Sequence, residues 1–275
     1  MSSFKSVLLP FLLASAAFAA APAHASLVIS YGGKPATDGS FLTSSFVPAS
    51  NTGVQTGWYV ETFDQGTASS VAGLVKPSLP AGVTISGTGG CSVNSYASVT
   101  TTGGGLGVRK GGVGGVAAPP SKDTTCFGYA PGPGGSASGG AKFDYSGLLA
   151  PGKTFSYLGL YFGSVDSYNT INIYNGTELL YSLNGTQVLS NNGGTTGDQL
   201  APSSNVYVNF AFASGESFTA VEFVSTNRAM EFDNIVVGDT VPKDVVVFNV
   251  PEPGSLALLA AGLLGMAAVR RSRKV

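Results

Sequence analysis

The residues best suited to chemistry lie together in one short segment of the sequence. Tyrosine can stack on a sugar ring, and neighbouring Asp and Asn side chains can hydrogen-bond to its hydroxyl groups. These residue types occur at Tyr161, Asp166, Tyr168 and Asn169. We therefore predict a carbohydrate-binding cluster at these four positions. The alternative is that the tyrosines are ordinary surface residues of a strand.

The sequence offers little for catalysis. Its only histidine is His24, near the N-terminus, so the rest of the chain lacks Ser-His-Asp catalysis, Cys-His catalysis and His-ligated zinc. Paired carboxylates can hydrolyse glycosides without histidine, and Glu222 and Glu231 fall on neighbouring predicted strands. Their spacing does not distinguish them from solvated residues on an outer sheet face. We expect a protein that is not an enzyme, with glycan hydrolysis as a minor alternative.

Two pairs of an aromatic and an acidic residue suggest a metal site. The pairs Phe63-Asp64 and Phe232-Asp233 resemble an arrangement in jelly-roll carbohydrate-binding modules. In those modules an acidic residue near the first strand and an Asp in the closing strand often meet at a structural calcium ion, which takes carboxylate and carbonyl oxygens. The resemblance implies a calcium site with the ligands Glu61, Asp64 and Asp233. The alternative is a set of edge-strand polar residues without an ion, and no other cofactor is expected.

The N-terminus predicts export. Lys5 supplies a positive charge, an apolar run follows, and Ala-His-Ala at residues 23–25 has the small residues of a cleavage site. These features together predict a signal peptide over residues 1–25, recognised by the general secretion machinery.

The C-terminus carries a second targeting segment, residues 250–275. A Pro-Glu-Pro motif precedes the apolar run Leu256–Val269, and a basic cluster ends the chain. The run is shorter than the roughly 20 residues of a typical spanning helix, so it predicts one thin or tilted transmembrane helix. The basic cluster is expected on the cytoplasmic side of the inner membrane, with the body outside.

This C-terminal segment resembles the PEP-CTERM sorting signal of exosortase-dependent proteins in Gram-negative-type bacteria that make exopolysaccharide. The resemblance implies recognition and processing by an exosortase, then transfer of the body to the cell surface or matrix. The alternative is an ordinary single-pass anchor. The implied recognition residues are Pro251, Glu252, Pro253, Arg270 and Arg271.

The two cysteines, Cys91 and Cys126, are the only ones in the chain. A cysteine pair in an exported chain indicates one disulfide bond. Closing a loop of this length stabilises a fold by about 3–4 kcal/mol in the chain-entropy model. The alternative is two free thiols.

Alternation of apolar and polar residues predicts strands through the body, residues 26–249. Val206–Phe212 and Met230–Val237 show this period of two, and no long helical period occurs. Asn-Gly pairs at 175–176 and 184–185 fit tight hairpin turns, which predicts a three-stranded meander over 170–189. Many short strands separated by turns predict an all-β fold, an antiparallel β-sandwich of the jelly-roll type.

A glycine-rich span, about residues 82–140, interrupts this pattern. Long glycine-rich stretches between strands are typical of surface loops. We expect long surface loops here, one of them held by the disulfide bond.

The function expected for the body is structural or adhesive. Residues 150–237 resemble surface proteins that carry the same sorting tail, through the segments Leu158–Ile171 and Phe232–Val236. With 14 acidic and 9 basic residues, the body is mildly acidic, and the lack of a basic patch argues against nucleic-acid binding. We expect an exopolysaccharide-layer protein; the alternative is a calcium-dependent carbohydrate-binding module.

Overall fold

The computed structural model describes residues 27–47, 54–55, 57–64, 83–85, 90–93, 96–134, 136–149, 153–213 and 215–240. The predicted signal peptide and the predicted sorting segment, with its transmembrane helix, lie outside the described residues. Within the ranges given, none of the helices has the length and apolar character needed to cross a membrane.

The described residues are mostly strands. Short 3-10 helices occupy Ser146–Leu148 and Pro202–Ser204, and one α-helix, α1, spans Gly185–Asn192. The strands are β1 (Leu27–Tyr31), β2 (Lys34–Pro35), β3 (Leu42–Thr43), β4 (Val54–Gln55), β5 (Trp58–Glu61), β6 (Val83–Ile85), β7 (Ser98–Gly103), β8 (Leu106–Lys110), β9 (Cys126–Ala130), β10 (Gly139–Asp144), β11 (Tyr157–Gly163), β12 (Asn169–Asn175), β13 (Glu178–Asn184), β14 (Val206–Phe212), β15 (Ala220–Ser225) and β16 (Met230–Gly238).

Two sheets contain most of these strands. The larger, nine-stranded sheet has the order β1-β14-β11-β16-β9-β8-β6, with β5 also paired to β16 and β4 paired to β5. The smaller, five-stranded sheet has the order β13-β12-β15-β10-β7, and β2 pairs with β3 separately. Neighbouring strands are antiparallel except for β6 and β8, which are parallel. The all-β prediction is confirmed, and the strand pairing is mainly antiparallel.

Aromatic side chains join the two sheets. Phe223 of the smaller sheet stacks on Phe232 of the larger one, with ring centroids 4.1 Å apart. Phe143, also from the smaller sheet, meets Phe232 edge-on at 6.1 Å. Buried Phe, Val, Leu and Ile residues from both sheets belong to the same core cluster. In β14, the apolar face that sequence alternation assigns to the strand is therefore the face that packs between the sheets.

The opposite face of the larger sheet is buried as well. Strands β11, β14 and β16 are buried along their whole length, which requires a cover on their outer side. That cover consists of residues 40–47, which include β3, and residues 117–125. Hydrogen bonds hold it in place: Ser44 Oγ lies 2.6 Å from Tyr157 Oη, and Asn234 Nδ2 donates to the Leu42 carbonyl at 2.7 Å. We call these two covering segments the outer cover.

The prediction of a third strand in the meander is wrong. Strands β12 and β13 form the expected hairpin, but the next residues form helix α1. Asn184 and Gln187 make a capping box, in which each side chain accepts a 2.9 Å hydrogen bond from the other residue's backbone N–H. The helix then buries Val188 and Leu189 in the shared core. The Asn-x-x-Gln spacing was a helix signal already present in the sequence.

The glycine-rich span contains strands as well as loops. Strands β6, β7, β8 and β9 and the first residues of β10 lie within it. Several of its glycines sit where aromatic rings approach the backbone: a Cβ on Gly128 would meet the rings of Phe63 and Phe232, and one on Gly107 would meet the ring of Tyr129. The glycines therefore make room for aromatic packing within strands.

The predicted disulfide bond between Cys91 and Cys126 is present. Cys126 begins β9, and Cys91 makes an isolated bridge to Asp64 just beyond β5. The disulfide bond thus ties residues 90–93 to β9, and the backbone bridge joins the same segment to the residues that follow β5.

Replacing both cysteines, Cys91→Ser with Cys126→Ser, is expected to lower the free energy of unfolding by about 3–4 kcal/mol. The unfolded chain regains the freedom that the cross-link between residues 35 apart removes. Urea unfolding measures the change, and reduced wild-type protein serves as the control with a similar loss. A loss under about 1 kcal/mol in both samples would contradict the entropic account.

Candidate functional site

A polar cleft of about 400 Å³ opens at one end of the two-sheet body. Four connections form it: the β8–β9 connection, the β11–β12 turn, the segment before β14, and the β15–β16 turn. We call it the loop-end cleft. Its lining residues are Gly112–Pro119, Ser164, Asp166, Tyr168, Gly197, Gln199, Arg228, Ala229 and Glu231.

Glu231 lies at the base of the loop-end cleft and is only 3% exposed. Its neighbours Met230 and Phe232 belong to the core, so strand alternation turns Glu231 to the outer face. Oε2 accepts a hydrogen bond from Ser164 Oγ at 2.7 Å, and Oε1 accepts one from the Ala118 backbone N–H at 3.1 Å. Burial raises the pKa of Glu231 to about 8, so the carboxyl group is largely protonated at neutral pH.

Asp166 and Tyr168 occupy the β11–β12 turn and are both half-buried. Asp166 Oδ1 accepts a hydrogen bond from Thr196 Oγ1 at 3.0 Å, and the Tyr168 hydroxyl donates to the Arg228 carbonyl at 3.0 Å. Burial raises the pKa of Asp166. Two of the four residues predicted for carbohydrate binding therefore line one cleft.

Asn169 holds the β11–β12 turn in place through hydrogen bonds of its side chain. It is fully buried, its Oδ1 accepts from the Asp166 backbone N–H at 2.8 Å, and its Nδ2 donates to the Ala229 carbonyl at 3.2 Å. The amide group of Asn169 thereby joins the β11–β12 turn to the β15–β16 turn. It acts on the cleft through its neighbours.

The ring of Tyr161 is buried, whereas stacking on a sugar needs an accessible ring. Tyr161 faces the outer side, as the alternation requires, but the outer cover buries it completely. Its hydroxyl donates to the Ser121 carbonyl at 2.6 Å. It lines a separate, smaller cavity of about 270 Å³, where Lys122 Nζ lies 4.8 Å above the ring of Phe41.

The carboxylates considered for hydrolysis do not form a pair. Glu231 lies on β16 of the larger sheet, whereas Glu222 lies on β15 of the smaller sheet. Glu222 Oε2 accepts hydrogen bonds from the Tyr174 hydroxyl at 2.7 Å and from Asn172 Nδ2 at 3.1 Å, and it does not line the loop-end cleft. Strands β15 and β16 follow each other in the chain, but they are not neighbours in one sheet. The chain passes from the smaller sheet to the larger one between them.

A second acidic region lies beneath the outer cover. Asp233 is fully buried, and neither of its carboxylate oxygens has a hydrogen-bond partner. Asp123 Oδ1 accepts from the Thr125 backbone N–H and hydroxyl, both at 2.7 Å, while its Oδ2 is buried without a partner. Burial raises the pKa of Asp123 to about 7. Burial, followed by the charge of Asp123, raises the pKa of Asp233 well above its usual range.

Two members of the trio predicted for calcium accept hydrogen bonds from different backbone groups. Glu61 Oε1 accepts from the Phe63 backbone N–H at 2.9 Å, and Asp64 Oδ1 accepts from the Cys126 backbone N–H at 3.0 Å. In the described part of the chain, no three His, Cys, Asp or Glu side chains are grouped so that they could hold a metal ion. The unpartnered oxygens of Asp233 and Asp123 do suit a hard cation, with carbonyl groups as further ligands.

The sequence analysis did not identify Asp123 as a buried acid, and it did not place Glu231 in a binding cleft. Asp123 stands in the glycine-rich span that alternation could not interpret. Its nearness to Cys126 was the available signal, because a cross-linked segment is held against the body.

A comparison with known protein families finds a match at the C-terminus. The family model of the PEP-CTERM protein-sorting motif matches residues 249–274. The class of protein is therefore an exported, surface-sorted one. More particularly, the chain carries a PEP-CTERM sorting motif, which implies recognition by an exosortase. The match includes the five predicted recognition residues, which lie outside the described residues. No curated protein matches the sequence.

The body is expected to lose stability as pH rises from about 4 to about 8. Asp123, Glu231 and Asp233 keep their protons in the folded state at pH values where the unfolded chain ionises. This preference stabilises the folded state below pH 4 and is lost as pH passes the folded pKa values, about 7 and 8 for the first two.

Urea unfolding across that range, with a chelator present, measures the effect. Asp123→Asn and Glu231→Gln should each flatten the profile, whereas Glu178→Gln, a change at an exposed strand end, should leave it unchanged. A wild-type profile that is flat or rises between pH 5 and pH 8 would contradict the burial of these acids in protonated form.

Proposed function

We propose that the exported body is a structural or adhesive unit of an exopolysaccharide layer, and that the loop-end cleft binds a saccharide chain. One observation carries this proposal. Asp166 and Tyr168, which the sequence predicts to contact a sugar, line the same polar cleft as Gln199 and Glu231. The sorting motif supports delivery to the surface, where such a polymer is available.

The composition of the cleft favours a saccharide over an apolar ligand. Hydroxyl, amide, carboxyl and guanidinium groups line it, and the glycine-rich loop 112–115 leaves backbone groups accessible. A sugar presents many hydroxyl groups, each able to donate and accept, and the ring of Tyr168 can contact a pyranose face. Saccharide binding therefore matches both the hydrogen-bonding groups and the single aromatic ring.

We further propose that the body is a jelly roll, and the strand order supports this. From β9 to β16, the chain places β9, β11, β14 and β16 in the larger sheet and β10, β12, β13 and β15 in the smaller one. The spatial orders are β9-β16-β11-β14 and β10-β15-β12-β13. Two four-stranded sheets exchanging strands in this way fit the eight-stranded jelly-roll architecture.

The proposed role is non-enzymatic. Glycoside hydrolysis needs two carboxyl groups about 5–9.5 Å apart across the scissile bond, and the pair considered for it is divided between the two sheets. A matrix protein requires binding without turnover, which a single cleft can provide.

Asp166→Ala and Gln199→Ala are each expected to weaken saccharide binding about tenfold, because each removes hydrogen bonds worth about 1.4 kcal/mol together. A glycan array screened with the purified body identifies the ligand, and titration calorimetry measures the change. Thr100→Ala, an exposed change on β7, is the control. Absence of any glycan binding by the folded wild-type body would overturn the saccharide role.

A calcium-dependent carbohydrate-binding module is the second candidate. The observation that favours it is Asp233, a fully buried carboxyl group with two unpartnered oxygens beside Asp123. An ion bound there would be held by Asp233 and Asp123 with nearby carbonyl groups, and Asp64 and Glu61 remain predicted ligands. Because Asn234 binds the outer cover, an ion at Asp233 would stabilise the cover against β16.

Calcium is expected to raise the melting temperature of the wild-type body. A ligand at one hundred times its Kd stabilises the folded state by about 2.7 kcal/mol. Thermal unfolding with 1 mM calcium and with chelator measures the response, and Asp233→Asn should abolish it while still folding. Magnesium serves as the matched ion control. An equal melting temperature with calcium and chelator would remove this candidate.

A further inference from the structure

The outer cover encloses a second cavity, of about 270 Å³. Phe41 and Lys122 of the cover line it together with Tyr31, at the end of β1, and Pro202, which precedes β14. Gly32, Lys122 and Pro202 are exposed, so the cavity opens to solvent beside them. We call it the cover cavity. Because sites for drug-sized ligands measure roughly 300–1,000 Å³, the cover cavity suits a single sugar unit or a group of similar size.

Aromatic rings form the inner wall of the cover cavity. Tyr161 and Tyr207 are fully buried, and their hydroxyl groups already donate, to the Ser121 carbonyl at 2.6 Å and to the Asn234 carbonyl at 3.0 Å. Half-buried Phe41 adds a third ring at the side of the cover. The wall therefore offers mainly ring carbon to a ligand, which favours contact with the C–H face of a sugar ring.

Lys122 supplies the charge of the cover cavity. Among the described residues that line this cavity it is the one charged residue, and its Nζ lies 4.8 Å from the centroid of the Phe41 ring. No carboxylate in the described part of the chain lies within ion-pair distance of Lys122. The next residue, Asp123, is buried and accepts its hydrogen bonds from Thr125. The ammonium group of Lys122 thus keeps three hydrogen-bond donors for an anion.

The two residues at the mouth hold unusual backbone conformations. Phe41 has a φ of 71° and Lys122 has a φ of 64°, in the left-handed region that is unfavourable for residues with a side chain. Glycine would adopt either conformation without that penalty. Residues kept in such conformations by their surroundings are typical of ligand clamps. The ring and the ammonium group therefore lie together at the mouth at the expense of local stability.

Two further lining residues can bind hydroxyl groups. The Tyr31 hydroxyl accepts a hydrogen bond from Asn191 Nδ2 at 3.1 Å and keeps its own proton to donate. Asn192 Nδ2 donates to the Val188 carbonyl at 2.8 Å, which leaves the Asn192 Oδ1 as an acceptor. Because a sugar hydroxyl both donates and accepts, a donor and an acceptor beside the rings suit a sugar.

We propose that the cover cavity binds an acidic sugar, a hexuronate unit whose carboxylate pairs with the Lys122 ammonium group and whose ring packs on Phe41. The choice of a saccharide rests on the proposed matrix function, but the site is separate from the loop-end cleft. A hexuronate combines a C–H ring face, hydroxyl groups and one carboxylate in a unit of this size, and the cavity offers a counterpart for each. A neutral sugar would leave Lys122 unpaired.

Titration calorimetry with the purified protein tests the selection. The ligands are tetramers of glucuronate, mannuronate and galacturonate, each compared with its own methyl ester, which keeps the ring and removes the charge. At low ionic strength, at least one acid tetramer is expected to bind about tenfold more tightly than its ester, because the ester loses a charge-assisted hydrogen bond. Added salt should reduce this preference. Acetate, a carboxylate without a sugar ring, should not displace the tetramer at the same carboxylate concentration.

Two variants assign the preference to the cover cavity. Lys122→Met removes the charge from an exposed side chain, so this variant should fold and bind acid and ester equally. Phe41→Leu removes the ring but keeps an apolar side chain, so the affinities for acid and ester should both fall about threefold. Lys142→Met is the matched control, because Lys142 Nζ also lies above an aromatic ring, that of Tyr174 on the smaller sheet, at 3.8 Å. This control should bind like the wild type.

The outcomes separate this inference from the proposed function. Equal affinity for acid and ester in all three sugars would overturn the uronate site, and so would displacement of the tetramer by acetate. A preference that survives Lys122→Met, or that Lys142→Met removes equally, would also overturn it, because the charge would then act outside this cavity. If glycan binding that Asp166→Ala weakens is still observed, the saccharide role of the loop-end cleft stands without the uronate site. If no glycan binds at all, both proposals fall.

Discussion

Covering the outer face of the larger sheet requires a partner for nearly every polar group that the face carries. An unpaired buried polar group destabilises a protein by about 1–3 kcal/mol, and this face carries tyrosine hydroxyls and amide side chains. Tyr161 satisfies its hydroxyl with the Ser121 carbonyl, and Asn234 binds both Ser40 and Leu42. The outer cover is therefore fixed by directional bonds, and its position decides which surfaces of the body remain open.

The open surfaces follow from that constraint. The protein's own chain covers the outer face of the larger sheet. At the loop end of that sheet, side chains from several connections line an open cleft. Glu231 and Asp233 are two residues apart on β16 and both point outward, yet their surroundings differ. Glu231 opens to the cleft and is hydrogen-bonded by Ser164, whereas Asp233 is sealed under the cover without a partner.

Short-range patterns explain what could be predicted from the sequence. Alternation assigned the core face of β14 because side chains in a strand change sides at every residue. The cysteine pair indicated its disulfide, and the Pro-Glu-Pro segment indicated sorting, because both signals are local and independent of the fold. The helix after Asn184 was also encoded locally, in its capping box, although the Asn-Gly pair at the same place favours a hairpin turn.

The sequence by itself determined the strand content, the cross-link and the sorting motif, since each depends on residue type and spacing along the chain. Only the tertiary structure decided that Tyr161 is covered, that Glu222 and Glu231 are divided between two sheets, and that Asp123 approaches Asp233. These facts concern residues distant in sequence. They depend on which sheet each strand joins and which segment folds over a face, and neither is a periodic property of the chain.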